Sequence, residues 1–265
     1  MRTLSKATTG FLNDMEHSGK GDPAKSLTLL WRKRGEATPI GRTGLTVDSI
    51  VKAAIELADE LGLAELSMRA IAKRLGVGVM SLYTHIPGKS ELIDLMVDSA
   101  LGELKSPVET GLSWRAHMEA VAASYLALCL RHPWFVYIVE TRPVIGPNTI
   151  SSWDVMLQPL DGIGLTESQM DRIASLIGGF VTTSARREIE LGNVERVTGE
   201  SLDSWWISNE ALLTQLMDTK GLPVAERVGE AVQAGDMDSE YRRESFGFQL
   251  GIILDGVEKL VDSRM

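Results

Sequence analysis

Apolar residues recur along most of this chain at three- and four-residue intervals, the spacing of one face of an α-helix. Ile50, Ala54, Leu57, Ala58 and Leu61 predict an amphipathic helix, with Thr46 as its N-cap. Met68, Ile71, Ala72 and Leu75 predict a short second helix, which Gly76 ends. A third short helix, from about Val79 to Thr84, packs Leu82 inward. Gly88-Lys89-Ser90 then leads into a helix carrying Leu92, Ile93, Leu95, Met96, Ala100 and Leu101. The pattern continues in a long helix from Ser113 to His132-Pro133, a shorter one over Ser152–Leu160, a long segment Leu165–Leu191, and a helix over Leu202–Met217. Gly221–Met237 reads as loop with one short amphipathic piece, and Ser239–Val261 as the last helix. Strand alternation never persists, so the fold class is all-α.

Two short helices across a tight turn containing Gly form a helix-turn-helix, in which the second helix enters the DNA major groove. The run LGLAELSMRAIAKRLGVGVMSLYTHIPGKSELIDLMVDSAL resembles the DNA-binding domain of the tetracycline-repressor (TetR) family of bacterial transcription regulators. Its Arg69, A-x-x-L-G-V and L-Y-x-H-x-x-x-K-x-x-L elements carry the resemblance from Ser67 through Leu92. That likeness implies a three-helix DNA-binding domain over 45–105 and an effector-binding and dimerisation domain of bundled helices over 106–265; residues 1–44, which it does not cover, read from weak periodicity and their Gly, Thr, Ser and Lys content as a flexible basic N-terminal extension with one short helix around Lys25–Lys33.

Val79, Met80, Ser81, Tyr83, Thr84 and His85 stand where side chains of the recognition helix can reach a duplex. The resemblance places Tyr83 and His85 at sugar-phosphate groups or flanking bases, and Thr46, Arg69 and Lys89 at phosphates; the alternative for His85 is a helix C-cap with no DNA role. Phosphate contacts set register and base-edge contacts set sequence. Gly78, Val79 and Met80 offer no bidentate hydrogen bond to guanine, so thymine-methyl contacts, hydroxyls and DNA shape carry the readout.

Ser113-Trp114, the helix to His132 and the turn Thr141-Arg142-Pro143 resemble the C-terminal domain of the tetracycline repressors. This likeness makes Thr141 and Arg142 effector-contacting candidates, with Arg142 an anion or carbonyl donor, and sets Tyr125 at an aromatic position. Ile138 falls where those repressors have a magnesium-binding histidine, and Lys105 and Val121 where they grip the inducer. A more apolar effector than tetracycline is therefore expected, lined by His117, Trp134, Trp153 and Met156. Ordinary core packing is an equal alternative for each of these four. The long segment Leu165–Leu191 and the last helix are expected to form the homodimer interface, with Gly178-Gly179 permitting close approach.

Charge sharpens the division. The net −9 splits into +4 over residues 1–44, zero over 45–90 and −13 over the remainder, as a DNA-reading head on an acidic body requires. The basic cluster Trp31-Arg32-Lys33-Arg34 with Arg42 is either a solvated tail or an arm adding phosphate contacts. No apolar run approaches the ~18–20 residues of a bilayer span, and no signal-peptide core opens the chain, so a cytoplasmic location is expected. The lone Cys129 sits among leucines and reads as a buried thiol. His17, His85, His117 and His132 show no metal-ligand spacing, and no nucleotide-binding or nucleophile motif is present, so neither enzyme activity nor a cofactor is expected. The expected function is a ligand-responsive repressor that binds a palindromic operator in double-stranded DNA as a homodimer. Control by a protein partner, or action as an activator, is the alternative.

Overall fold

A computed structural model describes residues 16–32, 44–107, 111–216, 222–233 and 239–262. Among them run twelve α-helices and two three-residue strands in this order. First come β1 (Glu16–Ser18), α1 (Pro23–Leu30), α2 (Val47–Leu61), α3 (Met68–Leu75), α4 (Val79–Tyr83), α5 (Lys89–Leu101) and α6 (Trp114–Arg131). Then follow β2 (Ile138–Glu140), α7 (Pro147–Leu157), α8 (Glu167–Gly192), α9 (Val194–Thr198), α10 (Leu202–Leu216), α11 (Pro223–Gln233) and α12 (Ser239–Asp262). The fold is all-α apart from one β-pair. No helix among the described residues is long and apolar enough to cross a membrane.

The chain falls into two compact units, Met1–Arg186 and Arg187–Met265. In the first, one hydrophobic core runs from Ile50, Leu57, Ile71 and Leu82 through Leu92 and Met96 to Trp134 and Val144. The head is therefore packed continuously onto the start of the body. The second unit carries α9 to α12, with Leu250, Leu254 and Val257 of α12 buried.

The N-terminal segment corrects the sequence expectation. Residues 16–32 are not a flexible extension but a strap built into the first unit. β1 pairs in parallel with β2, Glu16 opposite Ile138 and Ser18 opposite Glu140. Asp22 caps α1, accepting from the backbone of Ala24 and Lys25, and Leu30 at the end of α1 is buried. Trp31 Nε1 donates to the Ile145 carbonyl at 2.9 Å, and Arg32 pairs with Asp48. Backbone pairing and buried polar contacts hold this segment, and hydrophobic periodicity does not register either. Lys33, Arg34 and Arg42, the rest of the basic cluster, lie outside the described residues.

Candidate nucleic-acid interface and effector region

The helix-turn-helix is assembled from local signals. Ser67 opens α3 by accepting from Ala70 N at 3.2 Å. Gly76 closes it at φ +68°, where only glycine avoids a Cβ penalty. The Val77 N–H donates to the Ala72 carbonyl at 3.0 Å and that of Gly76 to Lys73 at 3.3 Å, satisfying the last carbonyls of α3. The five residues of α4 are too few to hold a helix alone. Leu82, wholly buried in the head core, anchors them.

Anchoring through Leu82 turns other residues outward. Met80 is 75% exposed and Tyr83 44%, while Thr84 is exposed and Ser81, Val79 and His85 are half-buried. An exposed thioether of that size on a well-packed helix is available to a partner surface rather than to the core. Thr84 takes the cap position of α4, its hydroxyl donating to the Ser81 carbonyl at 2.7 Å.

The three phosphate candidates flank α4 on separate elements. Thr46 forms a capping box with Ser49, accepting from Ser49 N at 3.1 Å while Ser49 Oγ accepts from Thr46 N at 3.0 Å. Arg69 is exposed in the first turn of α3. Lys89, the first residue of α5, is already engaged: its Nζ lies 2.6 Å from Glu16 Oε1 on the strap. A phosphate at Lys89 must displace that carboxylate.

Helix α5 connects head to body through three buried acids. Glu91, Asp94 and Asp98 are spaced three and four residues apart, so they share one face. Glu91 accepts from Asp22 N at 3.1 Å, and Asp94 accepts from Gly19 N and Ser26 Oγ, both at 2.7 Å. Asp98 caps α7 from outside: it accepts from Asn148 N (3.0 Å), Thr149 N (2.9 Å), Thr149 Oγ1 (3.0 Å) and Asn148 Nδ2 (3.0 Å). Three acids at helical spacing inside an otherwise apolar helix are visible in the sequence. They are the signal that finds this joint, one that hydrophobic periodicity does not register.

A second joint centres on His132, buried at the end of α6. Its Nδ1 faces Asp59 of α2 at 2.9 Å and its Nε2 faces Glu103 at 3.2 Å, while Trp134 Nε1 donates to Asp59 at 2.7 Å. Burial opposes ionisation of Glu103, but hydrogen bonds from Arg131 and His132 outweigh it and hold the carboxyl below the usual carboxylate range. Trp134 is thus part of both the core and this joint.

The effector candidates lie on α6, on α7 and beside the strap, with His117, Val121 and Tyr125 sharing one stripe of α6. Ile138, Thr141 and Arg142 lie against the strap: Ile138 pairs with Glu16, Thr141 N donates to the Ser18 carbonyl, and Thr141 Oγ1 lies 3.0 Å from His17 Nδ1. Arg142 is exposed beside Gly19. His117 Nε2 contacts Ser106 Oγ at 3.2 Å, and Ser106 in turn donates to Gln158. Val121 and Met156 are buried core residues, and Trp153 is 51% exposed on α7. Tyr125 sits edge-on to Phe135, centroids 6.3 Å apart, and burial pushes its phenol up to about 12. An open cleft of about 380 Å³ lies instead among α2, α5 and α7, lined by Lys52, Asp98, Ser99, Lys105 and Asn148. Of the positions singled out in the sequence, it holds Lys105 and, from the basic cluster, Arg32.

Comparison with known proteins adds to this geometry. Residues 50–96 match the sequence profile of bacterial regulatory proteins of the tetR family, and residues 106–261 that of the tetracyclin repressor-like C-terminal domain. The chain is 36% identical over 264 residues to the HTH-type transcriptional repressor DrrR1 of Streptomyces coeruleorubidus, spanning 99% of this chain and 96% of that protein. It is 32% identical over 149 residues to a class A tetracycline repressor protein of Escherichia coli, 55% of this chain and 68% of that one. Among solved structures, ActR from Streptomyces coelicolor matches without ligand at a TM-score of 0.64 and 26% identity, covering 80% of this chain and 96% of that one. ActR in complex with actinorhodin also gives 0.64 and 26%, over 82% and 98%.

Proposed function

The chain belongs to the TetR family of bacterial regulatory proteins, and we propose that it is a transcriptional repressor that occupies a palindromic operator and leaves it when a small molecule binds its body. The observation that carries the DNA half is α4: a short helix pinned by Leu82 that presents Met80 and Tyr83 to solvent, behind a helix-turn-helix turn. Arg69, Thr46 and Lys89 supply the phosphate contacts on either side. Residues 45–105 act as the head and 106–265 as the body. The effector half draws its support from DrrR1, a repressor similar over nearly the whole chain, and from ActR, a similar fold captured with actinorhodin.

The active form is a homodimer working in the cytoplasm on double-stranded DNA, because one α4 reads one half-site and a palindrome needs two. Each unit carries exposed apolar residues available for such pairing: Leu176 on α8 (57% exposed) in the first, and Phe248 (71%) and Ile252 (57%) on α12 in the second. Release works through α5. Asp98 ties α5 to the N-terminus of α7, and Glu91 and Asp94 tie it to the strap, so a shift in the body carries the head with it. Two half-sites have fixed spacing, and a few ångströms of displacement ends simultaneous docking. The effector drives this only through its different affinity for the two arrangements.

Fluorescence anisotropy of the full chain on the DNA flanking its own gene, across a salt series, tests the reading. Saturable binding of two chains per palindrome, with a steep salt slope, is expected. Weak binding indifferent to sequence across all flanking fragments refutes it.

A further inference from the structure

The strap brings a carboxylate to the lysine that opens α5. β1 is three residues long, so Glu16 and Ser18 face one side of it and His17 the other. Ser18 is 2% exposed, and turning it inward turns Glu16 the same way, where Glu16 Oε1 lies 2.6 Å from Lys89 Nζ. Lys89 keeps 33% of its side-chain surface and Glu16 31%, so the pair remains within reach of solvent and of a partner surface. Among the described residues, Glu16 is the carboxylate that pairs with Lys89.

What holds Glu16 in place belongs to the body and to the middle of α5. Glu16 stands opposite Ile138 in the β-pair, the Thr141 N–H donates to the Ser18 carbonyl at 3.3 Å, and His17 Nδ1 lies 3.0 Å from Thr141 Oγ1. Gly19 follows at φ +66°, and a Cβ there would lie 2.6 Å from the Arg142 carbonyl oxygen, so the strap passes Arg142 at a distance that glycine alone allows. Gly19 N and Ser26 Oγ both donate to the buried Asp94 at 2.7 Å. The grip is therefore on β2, on the Thr141-Arg142 turn and on Asp94, while the carboxylate it positions lies at the edge of the reading head.

An ammonium that faces a carboxylate at 2.6 Å cannot give the same charge to a DNA phosphate, so the two anions compete for one seat. We propose that the strap is an autoinhibitory strut: β2 and the Thr141-Arg142 turn hold Glu16 on the phosphate seat of Lys89, and operator binding and β1–β2 pairing oppose each other. The proposal rests on the regulator reading above and names a control of its DNA site. Whatever tightens the β-pair weakens DNA binding, and DNA binding loosens the β-pair by the same factor, because coupling between two sites is reciprocal.

The test measures operator affinity of the full-length protein by anisotropy at low salt, on duplex DNA flanking its own gene. Glu16→Gln should raise affinity by up to about fivefold, the most that an exposed ion pair usually contributes. Gly19→Ala, which unseats the strap from Arg142 without changing any charge, should raise it in the same direction. In a Lys89→Ala background neither substitution should matter, whereas a general gain from removing negative charge near DNA would persist there. Thermal melts establish that the variants are folded. Hydrogen exchange of the wild type gives a reading that needs no folded Gly19→Ala: the peptide over 138–142 should exchange faster with saturating operator than without, and this difference should vanish in Glu16→Gln. A Glu16→Gln gain kept in full in Lys89→Ala overturns the proposal, as does a folded Gly19→Ala with unchanged or lower affinity, or exchange over 138–142 that does not rise with operator. Each of these leaves the regulator reading standing. If the wild type binds none of the flanking duplexes specifically, that reading falls and the strut falls with it.

Discussion

Replacing Asp98 by alanine should loosen the joint between head and body at a cost readable in stability. Asp98 is 3% exposed and receives four hydrogen bonds from Asn148 and Thr149, two of them from backbone N–H groups at the start of α7. Gly146, the N-cap of α7, has no side chain to accept them, so Asp98 does so from the neighbouring helix. A lost N-cap alone costs ~0.5–2 kcal/mol, and removing one side of a buried charged contact costs ~3–5 kcal/mol. Water enters readily here, because Asp98 and Asn148 line the open cleft, and it returns part of the loss. The expected destabilisation is therefore about 3 kcal/mol, large against a typical total of ~5–15 kcal/mol. Urea unfolding followed by far-UV circular dichroism measures it, at fixed protein concentration because a dimer's stability depends on concentration. Operator affinity, read by anisotropy, should fall as well. A loss below about 1 kcal/mol would mean that the four bonds are replaced by water at little cost, contrary to the burial argument. Unchanged operator affinity together with unchanged effector response would refute α5 as the connecting element.

The same joint predicts that Gly146→Ala destabilises the fold by about 1–3 kcal/mol, as overpacking does, because the new Cβ would lie 2.1 Å from Asp98 Oδ1; thermal melts should show it. At the DNA face, Glu16→Gln should raise operator affinity at low salt by freeing Lys89, and Lys89→Ala should lower it on every sequence and reduce the salt slope by about one. If neither variant moves the slope, Lys89 does not meet a phosphate. Burial pushes the Cys129 thiol up to about 12, so a disulfide reagent at pH 8 should react only as the protein unfolds. Cys129 and Tyr125 both titrate higher when folded than their ordinary values near 9 and 10, so the fold favours their neutral forms. That stability is whole below about pH 9 and drains away as pH rises toward 12. Melts at pH 8 and pH 11 should show a smaller alkaline loss in Cys129→Ala than in the wild type.

Local chemistry was legible from residue order. Gly76 as the end of α3, Leu82 as the inward anchor of α4 and the capping role of Thr46 each depend on neighbours within a few positions, and the structure has each of them. Helix existence followed for the same reason, because periodicity reports which face is buried without saying against what. The TetR pattern, concentrated in the head, was equally local. Polar contacts between distant segments were not legible. The strap is held by hydrogen bonds from residues 16–32 to Glu91, Asp94 and the β2 backbone, and a Gly- and Lys-containing stretch of weak periodicity looks identical whether packed or free. The surroundings of Thr141 and Arg142 were not legible for a related reason. Aligning Thr141-Arg142 by resemblance assigns a position in a pattern, while the packing of β1 decides what those side chains touch. The sequence by itself determined the class of fold, the reading head and its exposed Met80 and Tyr83. Tertiary structure alone decided that Asp98 would bind head to body and that Glu16 would meet Lys89, because burial and hydrogen-bond satisfaction are properties of neighbours that the chain brings together only when it folds.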